Sequence, residues 1–210
     1  GKNCTLSIAG DLPKEIYSII NHSKLKELKK ISKEKAINNK ITFHKGYKNE
    51  TIPRLEGVRI LKAWELPPAK EQILILGAEI VATMLCEGKS SLIVKELREE
   101  KRIIESIDID LQILEEGGLI LLDVSCTEEN RKNAETELNN ILKKLTGDFI
   151  TNKDLERAKN IVINNIYFGL ELSTQIASTL GNQALWGRHQ SILKSIDDIS
   201  YWTTSRLNQL

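Results

Sequence analysis

The chain has 210 residues, of which 40% are apolar and 28% charged, so it can bury a substantial core. Its 30 Lys and Arg against 29 Asp and Glu leave a formal charge of +1, which gives no electrostatic case for a nucleic-acid or membrane-surface partner. Three cysteines, Cys4, Cys86 and Cys126, are too few and too far apart for a disulfide framework or a paired zinc site. Reduced thiols and the lack of a signal-peptide pattern give a cytoplasmic expectation. The longest apolar run, ILILGAEIVATML, is too short to span a bilayer and carries Glu79.

In chain order, CTLSIAG alternates as a strand and closes at Gly10. Asp11 then serves as an N-cap, with Pro13 and Glu15 in the first turns of a helix striped by Ile16, Ile19, Ile20 and Leu28. From Lys29 to Pro53 the chain is polar and reads as a linker. VRILKAW is a second strand, and Pro67-Pro68 makes ELPPAK a loop. Residues 71 to 86 are apolar nearly all round, which predicts a helix buried on most sides and stopped by Gly88.

Ser90 or Ser91 is placed to cap the next helix, running to about Arg102. Period two then takes over: Ile107, Ile109, Leu111 and Ile113 face one way, Ser106, Asp108, Asp110 and Gln112 the other. The Glu-Glu-Gly-Gly turn at 115–118 makes LILLDVSC the returning, more buried strand of a hairpin. Thr127 predicts an N-cap ahead of the stripe Ala134, Leu138, Ile141, Leu142 and Leu145, ended by Gly147. Thr151 with Asp154 forms a capping box for a helix carrying Leu155, Ala158, Val162 and Ile166. A helix from Ser173 or Thr174 to Trp186, and a last one with Ile192, Ile196 and Ile199, complete the chain. The order predicts an α+β fold: an antiparallel-rich mixed sheet with helices packed on one face, a two-layer sandwich.

Gly88-Lys89-Ser90 is the end of a phosphate-loop pattern. Position 83, where the first glycine belongs, is Thr83, and a helix precedes the motif where a strand is required. Lys89 is therefore read as an exposed lysine at a helix start. Asp108 and Asp110 read as a solvated strand face, and Trp64, Trp186 and Trp202 as core or interface residues.

CTLSIAGDLPKEI, GKSSLIVKELREEKRIIESI, GGLILLDVSCTEEN and ITNKDLERAKN, in that order and spacing, resemble the insulinase, pitrilysin and mitochondrial processing peptidase family of zinc metallopeptidases. The resemblance covers nearly the whole chain. It implies repeated α+β domains facing each other around a closed chamber, only one type of which carries the inverted His-x-x-Glu-His zinc motif. The histidines here, His22, His44 and His189, have no histidine four residues away, so the motif cannot form. The resemblance thus implies the non-catalytic domain of a zinc-dependent endopeptidase, forming chamber wall and binding peptide substrate, with zinc held elsewhere in the same chain or by a partner subunit. By the same analogy residues 1–45 are the strand–helix tail and linker of a preceding zinc-type domain, and residues 46–210 are the substrate-binding domain. The N-terminal strand would then fill the sheet position of a closing strand beyond the given sequence. Arg98, in Glu-Leu-Arg, matches the family's substrate-facing arginine, while Glu105 stands where the family has a tyrosine. A carboxylate accepts hydrogen bonds and cannot replace a phenol as donor to an oxyanion. An inactive scaffold subunit assembled with a zinc-bearing partner is the alternative that Glu105 favours. Neither nucleic acid nor a membrane is an expected partner.

Overall fold

The structure is a computed structural model that describes residues 4–27, 42–145, 150–186 and 191–210. Its centre is a sheet of β1 (Val58–Leu66), β2 (Ser106–Ile113) and β3 (Gly118–Cys126) in the order β1-β3-β2, all pairs antiparallel. The hairpin register sets Ile107 opposite Val124 and Ile113 opposite Gly118. It closes through Leu114 N–H donating to the Gly117 carbonyl at 3.0 Å. Gly118 has to be glycine, because a Cβ there would sit 2.5 Å from the Gln112 carbonyl oxygen.

The register sorts the sheet's two faces. Val58 and Ile60 of β1, Ile107 and Ile109 of β2, and the buried Leu122, Val124 and Cys126 of β3 share one face. The opposite face carries Arg59, Leu61, Ala63, Asp108, Asp110, Leu121 and Asp123. Among the described residues helices cover only the first of these faces. β3 is central and the most buried strand, which accounts for its near-continuous apolar run; β2, at an edge, keeps clean alternation.

α1 (Ile16–His22) precedes β1, and α2 (Gln72–Cys86) follows it. α2 is the pivot of the molecule. Leu85 joins a core with Ile93, Leu97, Leu122, Val124, Leu138 and Ile141, beneath the sheet. Leu76, Ile80 and Met84 join a second core with Leu155, Ala158, Val162, Ile199 and Trp202. A helix sandwiched between two cores must be apolar on nearly every side, and that is the pattern of residues 71–86. Each fully buried Leu or Ile in these cores contributes about 1.5–3 kcal/mol. The second core is built by α4 (Asn152–Gly169), α6 (Lys194–Ile199) and α7 (Thr204–Leu207), while α3 (Arg131–Lys144) belongs to the first. α5 (Ser173–Leu185) buries none of its residues.

Several local expectations are met in detail. Gly88 has φ +82° just past α2, as a left-handed helix stop requires. Thr151 Oγ1 accepts from Asp154 N–H at 3.2 Å, so the capping box opens α4. Others shift. Ser91 donates its hydroxyl to Gly88 O at 2.7 Å and does not cap the segment after it. That segment is π-helical over Val94–Glu100, and its N-cap position carries no side-chain cap. Asn130 takes the N-cap position of α3, after a turn in which Asn130 N–H bonds to Thr127. Glu128 and Glu129 consequently lie ahead of the helix. α1 begins at Ile16, later than Asp11 suggests, with Ile16 N–H donating to Pro13 O. Gly147 and residues 28–41 of the linker lie outside the described residues.

The N-terminal strand is a correction. Residues 4–9 are not a strand, and β1 pairs only with β3 among the described residues. Leu6 and Ile8 are exposed, so the alternation in CTLSIAG finds no sheet to pack on. This stretch instead passes α5, where a Cβ on Gly181 would lie 3.2 Å from the Ser7 Cβ. No helix among the described residues is long and apolar enough to cross a membrane.

Candidate functional site

Arg98 lies on the π-helical segment. Wide i→i+5 turns often mark functional positions, because the extra residue turns side chains away from the regular helical rows. Lys101 N–H closes one such turn onto Glu96 O at 3.0 Å. The segment ends with Arg102 at φ +53°, and Ile103 N–H reaches back to Leu97 O. A left-handed non-glycine residue costs roughly 1 kcal/mol or more, so the surroundings must hold this turn. Leu97, Ile103 and Ile104, all buried, anchor it from below. Lys101 fastens it from the side, bonding Glu96 and, across to α3, Glu137. These two carboxylates raise the Lys101 ammonium above its usual range, Glu137 most.

With that support Arg98 is half-exposed, and its guanidinium forks onto the neighbouring Glu99 through Nε at 3.1 Å and Nη2 at 2.9 Å. Glu105 stands at the far end of the same connection, where its N–H donates to Ser125 O and starts the β2–β3 pairing. No hydrogen bond joins Arg98 to Glu105. The Glu105 charge is felt by Cys126, whose thiol is pushed up first by burial and then by this carboxylate. Arg98 thus has a donor fork that is presented, supported and partly occupied, while Glu105 offers only acceptors.

The open sheet face lies on the side opposite the core that Leu97 enters. Leu61 is 59% exposed, Ala63, Asp108 and Asp110 are exposed, and Leu119 and Leu121 are half-buried on the central strand. Asp123 sits opposite Asp108 in the register, and Arg59 offsets that repulsion through an Nε–Oδ1 bond of 3.0 Å to Asp123. The outer edge of β1 borders a slot of about 660 Å3 whose far wall is residues 46–52. Tyr47 ties that wall to α3 by accepting from Arg131, which raises the Arg131 pKa.

A second cavity, of about 310 Å3, opens between α2, α4, α5 and α6, with Ile113 at its edge. Glu79 of α2 lines it, along with Asn165, Thr179 and Gln183. Burial raises the Glu79 carboxyl above its ordinary range, and Glu87 adds to the shift. The sequence held one signal for this site: a single carboxylate in an otherwise apolar helix. Arg157 was not legible at all. From α4 it donates to Glu87 O at 2.9 Å and Met84 O at 3.3 Å, capping the carbonyl end of α2.

Zinc does not fit the described residues. Among the described residues no three His, Cys, Asp or Glu side chains group as metal ligands. His22 bonds Ser18, and His189 lies outside the described residues. An open-faced antiparallel sheet backed by helices, with a supported arginine on the helical layer and no set of metal ligands among the described residues, is a two-layer α+β domain.

The chain belongs to the Peptidase M16 inactive domain family, whose model matches residues 1–162. It is 26% identical over 132 residues to an uncharacterized zinc protease of Mycobacterium leprae, covering 62% of this chain and 30% of that protein. Uncharacterized zinc proteases of Mycobacterium bovis and Mycobacterium tuberculosis match at 26% over 130 residues, 61% of this chain and 30% of theirs. The fold is shared with a protease from Helicobacter pylori at a TM-score of 0.76 and 19% identity, over 96% of this chain and 50% of that one. It is also shared with the inactive peptidase domain of a putative zinc protease from Bordetella parapertussis, at a TM-score of 0.62 and 16% identity, over 74% and 86%. The chain therefore spans about a third of the curated relatives it matches and half of the Helicobacter protein.

Proposed function

We propose that this inactive domain forms chamber wall and binds peptide for a zinc-dependent endopeptidase whose metal site lies in another domain, of the same chain or of a partner subunit. The uncovered sheet face carries the reading. A sheet packed on one side and left open on the other, with Leu61, Ala63, Leu119 and Leu121 beside Asp108 and Asp110, offers both apolar contact and acceptors to an unfolded peptide. The curated relatives named zinc proteases support zinc in the whole enzyme. In this reading residues 1–45 close a preceding zinc-type domain, residues 46–210 form the substrate-binding one, and the whole works in the cytoplasm.

Arg98 is the residue that would reach the peptide. Its guanidinium exchanges the Glu99 carboxylate for peptide carbonyls or for the oxyanion formed on attack, while the buried Leu97 holds the turn in place. Arg98→Ala in the complete enzyme, or in the assembly with its zinc-bearing partner, is expected to lower kcat/KM on a peptide substrate by about tenfold or more. Folding should be unchanged, since among the described residues Arg98 pairs only with its neighbour. An unaltered kcat/KM would instead support the scaffold reading, which is favoured by Glu105 in place of a phenolic donor and by the Glu99 fork on Arg98.

A further inference from the structure

The cavity beside Glu79 has the makings of a ligand site. Its volume of about 310 Å3 is at the small end of small-molecule pockets, which run roughly 300–1,000 Å3. Ile75 and Ile166 supply apolar walls, and Asn165, Thr179 and Gln183 supply neutral polar groups. Among the described residues no Lys, Arg or His lines it. Among the described residues Glu79 has neither a hydrogen bond nor an ion pair. A half-buried carboxylate without a partner is costly, and a protein normally supplies one. Here the described walls supply none, and one wall is α5, which fully buries no residue of its own and so can yield to an entering molecule.

We propose that this cavity binds an alkylammonium group, its cationic head on the Glu79 carboxylate and its aliphatic body between Ile75 and Ile166. The charge pattern sets the class. One carboxylate among neutral walls favours a monocation and rejects anions, and the apolar walls reward methylene groups over a bare metal ion. A free aliphatic diamine and a peptide lysine side chain share this chemistry. The proposal does not depend on the substrate reading above, since the cavity lies in the helical layer and the open sheet face lies on the other side.

The test titrates the full chain with 1,5-diaminopentane and with N-acetyl-lysine methylamide, following amide shifts or heat. Pentane-1,5-diol and glutarate serve as neutral and anionic controls. Saturable one-to-one binding of an ammonium probe, with both controls weaker by about tenfold or more, is expected. Tighter binding of the diamine assigns the site to free amines; tighter binding of the capped lysine assigns it to peptide side chains. Glu79→Gln should weaken the ammonium probe by about tenfold or more with the thermal midpoint no lower, because it removes a half-buried charge that no described group pairs. Should that variant fail to fold, wild-type titrations at falling pH replace it. Protonation of Glu79, whose carboxyl burial holds above the ordinary carboxylate range, must weaken binding. Glu87, on the coil after α2, is the charged group that acts on Glu79, and the lining groups from α4, α5, α6 and β2 are neutral. No saturable ammonium binding below about 10 mM, equal affinity for the diol, or binding that neither Glu79→Gln nor acid alters would overturn the proposal.

Discussion

At the scale of single residues, burial sets reactivity. The Cys86 thiol is pushed up to about 12, first by burial and then by the nearby Asp108 carboxylate. Cys126, at the core end of β3, is shifted the same way. Cys4 is exposed. Only a thiolate alkylates quickly, so at pH 8 iodoacetamide should modify Cys4 in the folded chain, and Cys86 and Cys126 should react only after denaturant is added. Intact-mass analysis with and without denaturant reads this directly, and prompt labelling of Cys86 in the folded chain would contradict the packing around α2. Glycine is as decisive at position 77. A Cβ there would lie 2.3 Å from the Trp202 ring, which is itself held by Nε1–H donating to Ile73 O at 3.1 Å. Gly77→Ala gains about 1 kcal/mol of helix propensity and loses about 1–3 kcal/mol to overpacking. Net destabilisation of up to about 2 kcal/mol is expected in chemical denaturation. A stabilised variant would mean that Trp202 does not sit against α2.

At the scale of elements, the helices divide by how much they bury. α2 lies between two cores, α4 buries Leu155, Ala158 and Val162, and α5 buries nothing. Local opening costs little where few apolar contacts are lost. Amide hydrogen exchange should therefore be fastest among these helices in α5, slowest in α2 and on central β3, and slowed in α5 when an ammonium ligand fills the cavity beneath it. Protection of α5 equal to that of α2 in the free chain would contradict the burial pattern. The hairpin, α2 and the Thr151 cap were legible in the sequence because each is encoded locally, by period two, by all-round apolarity and by a side chain within reach of its own backbone. The π turn was not. Its wide loop comes from Leu97, Ile103 and Ile104 entering one core while Lys101 is drawn to Glu137, a residue 36 positions away.

At the scale of the whole molecule, the open sheet face gives the domain its proposed use, and Arg98 its test. Family membership and the lack of an inverted zinc motif could be read from residue order alone, since a helix with no second histidine at the right spacing cannot supply the ligand pair. Arg98 was legible as a candidate for the same reason. Its pairing with Glu99, the coupling of Glu105 to Cys126 and the cavity at Glu79 were not legible, because each joins groups by packing and not by sequence spacing. The N-terminal alternation shows the converse: period two predicts a strand only where a neighbouring strand accepts its hydrogen bonds, and residues 4–9 have none among the described residues. By itself, then, the sequence determined the fold class, the order of its central elements and the family, because hydrophobic period and short-range capping act within a few residues. Tertiary structure alone decided which sheet face stays open, that Glu79 meets no cation among the described residues, and where the helix winds wide, because those outcomes depend on which distant surfaces exclude water from one another.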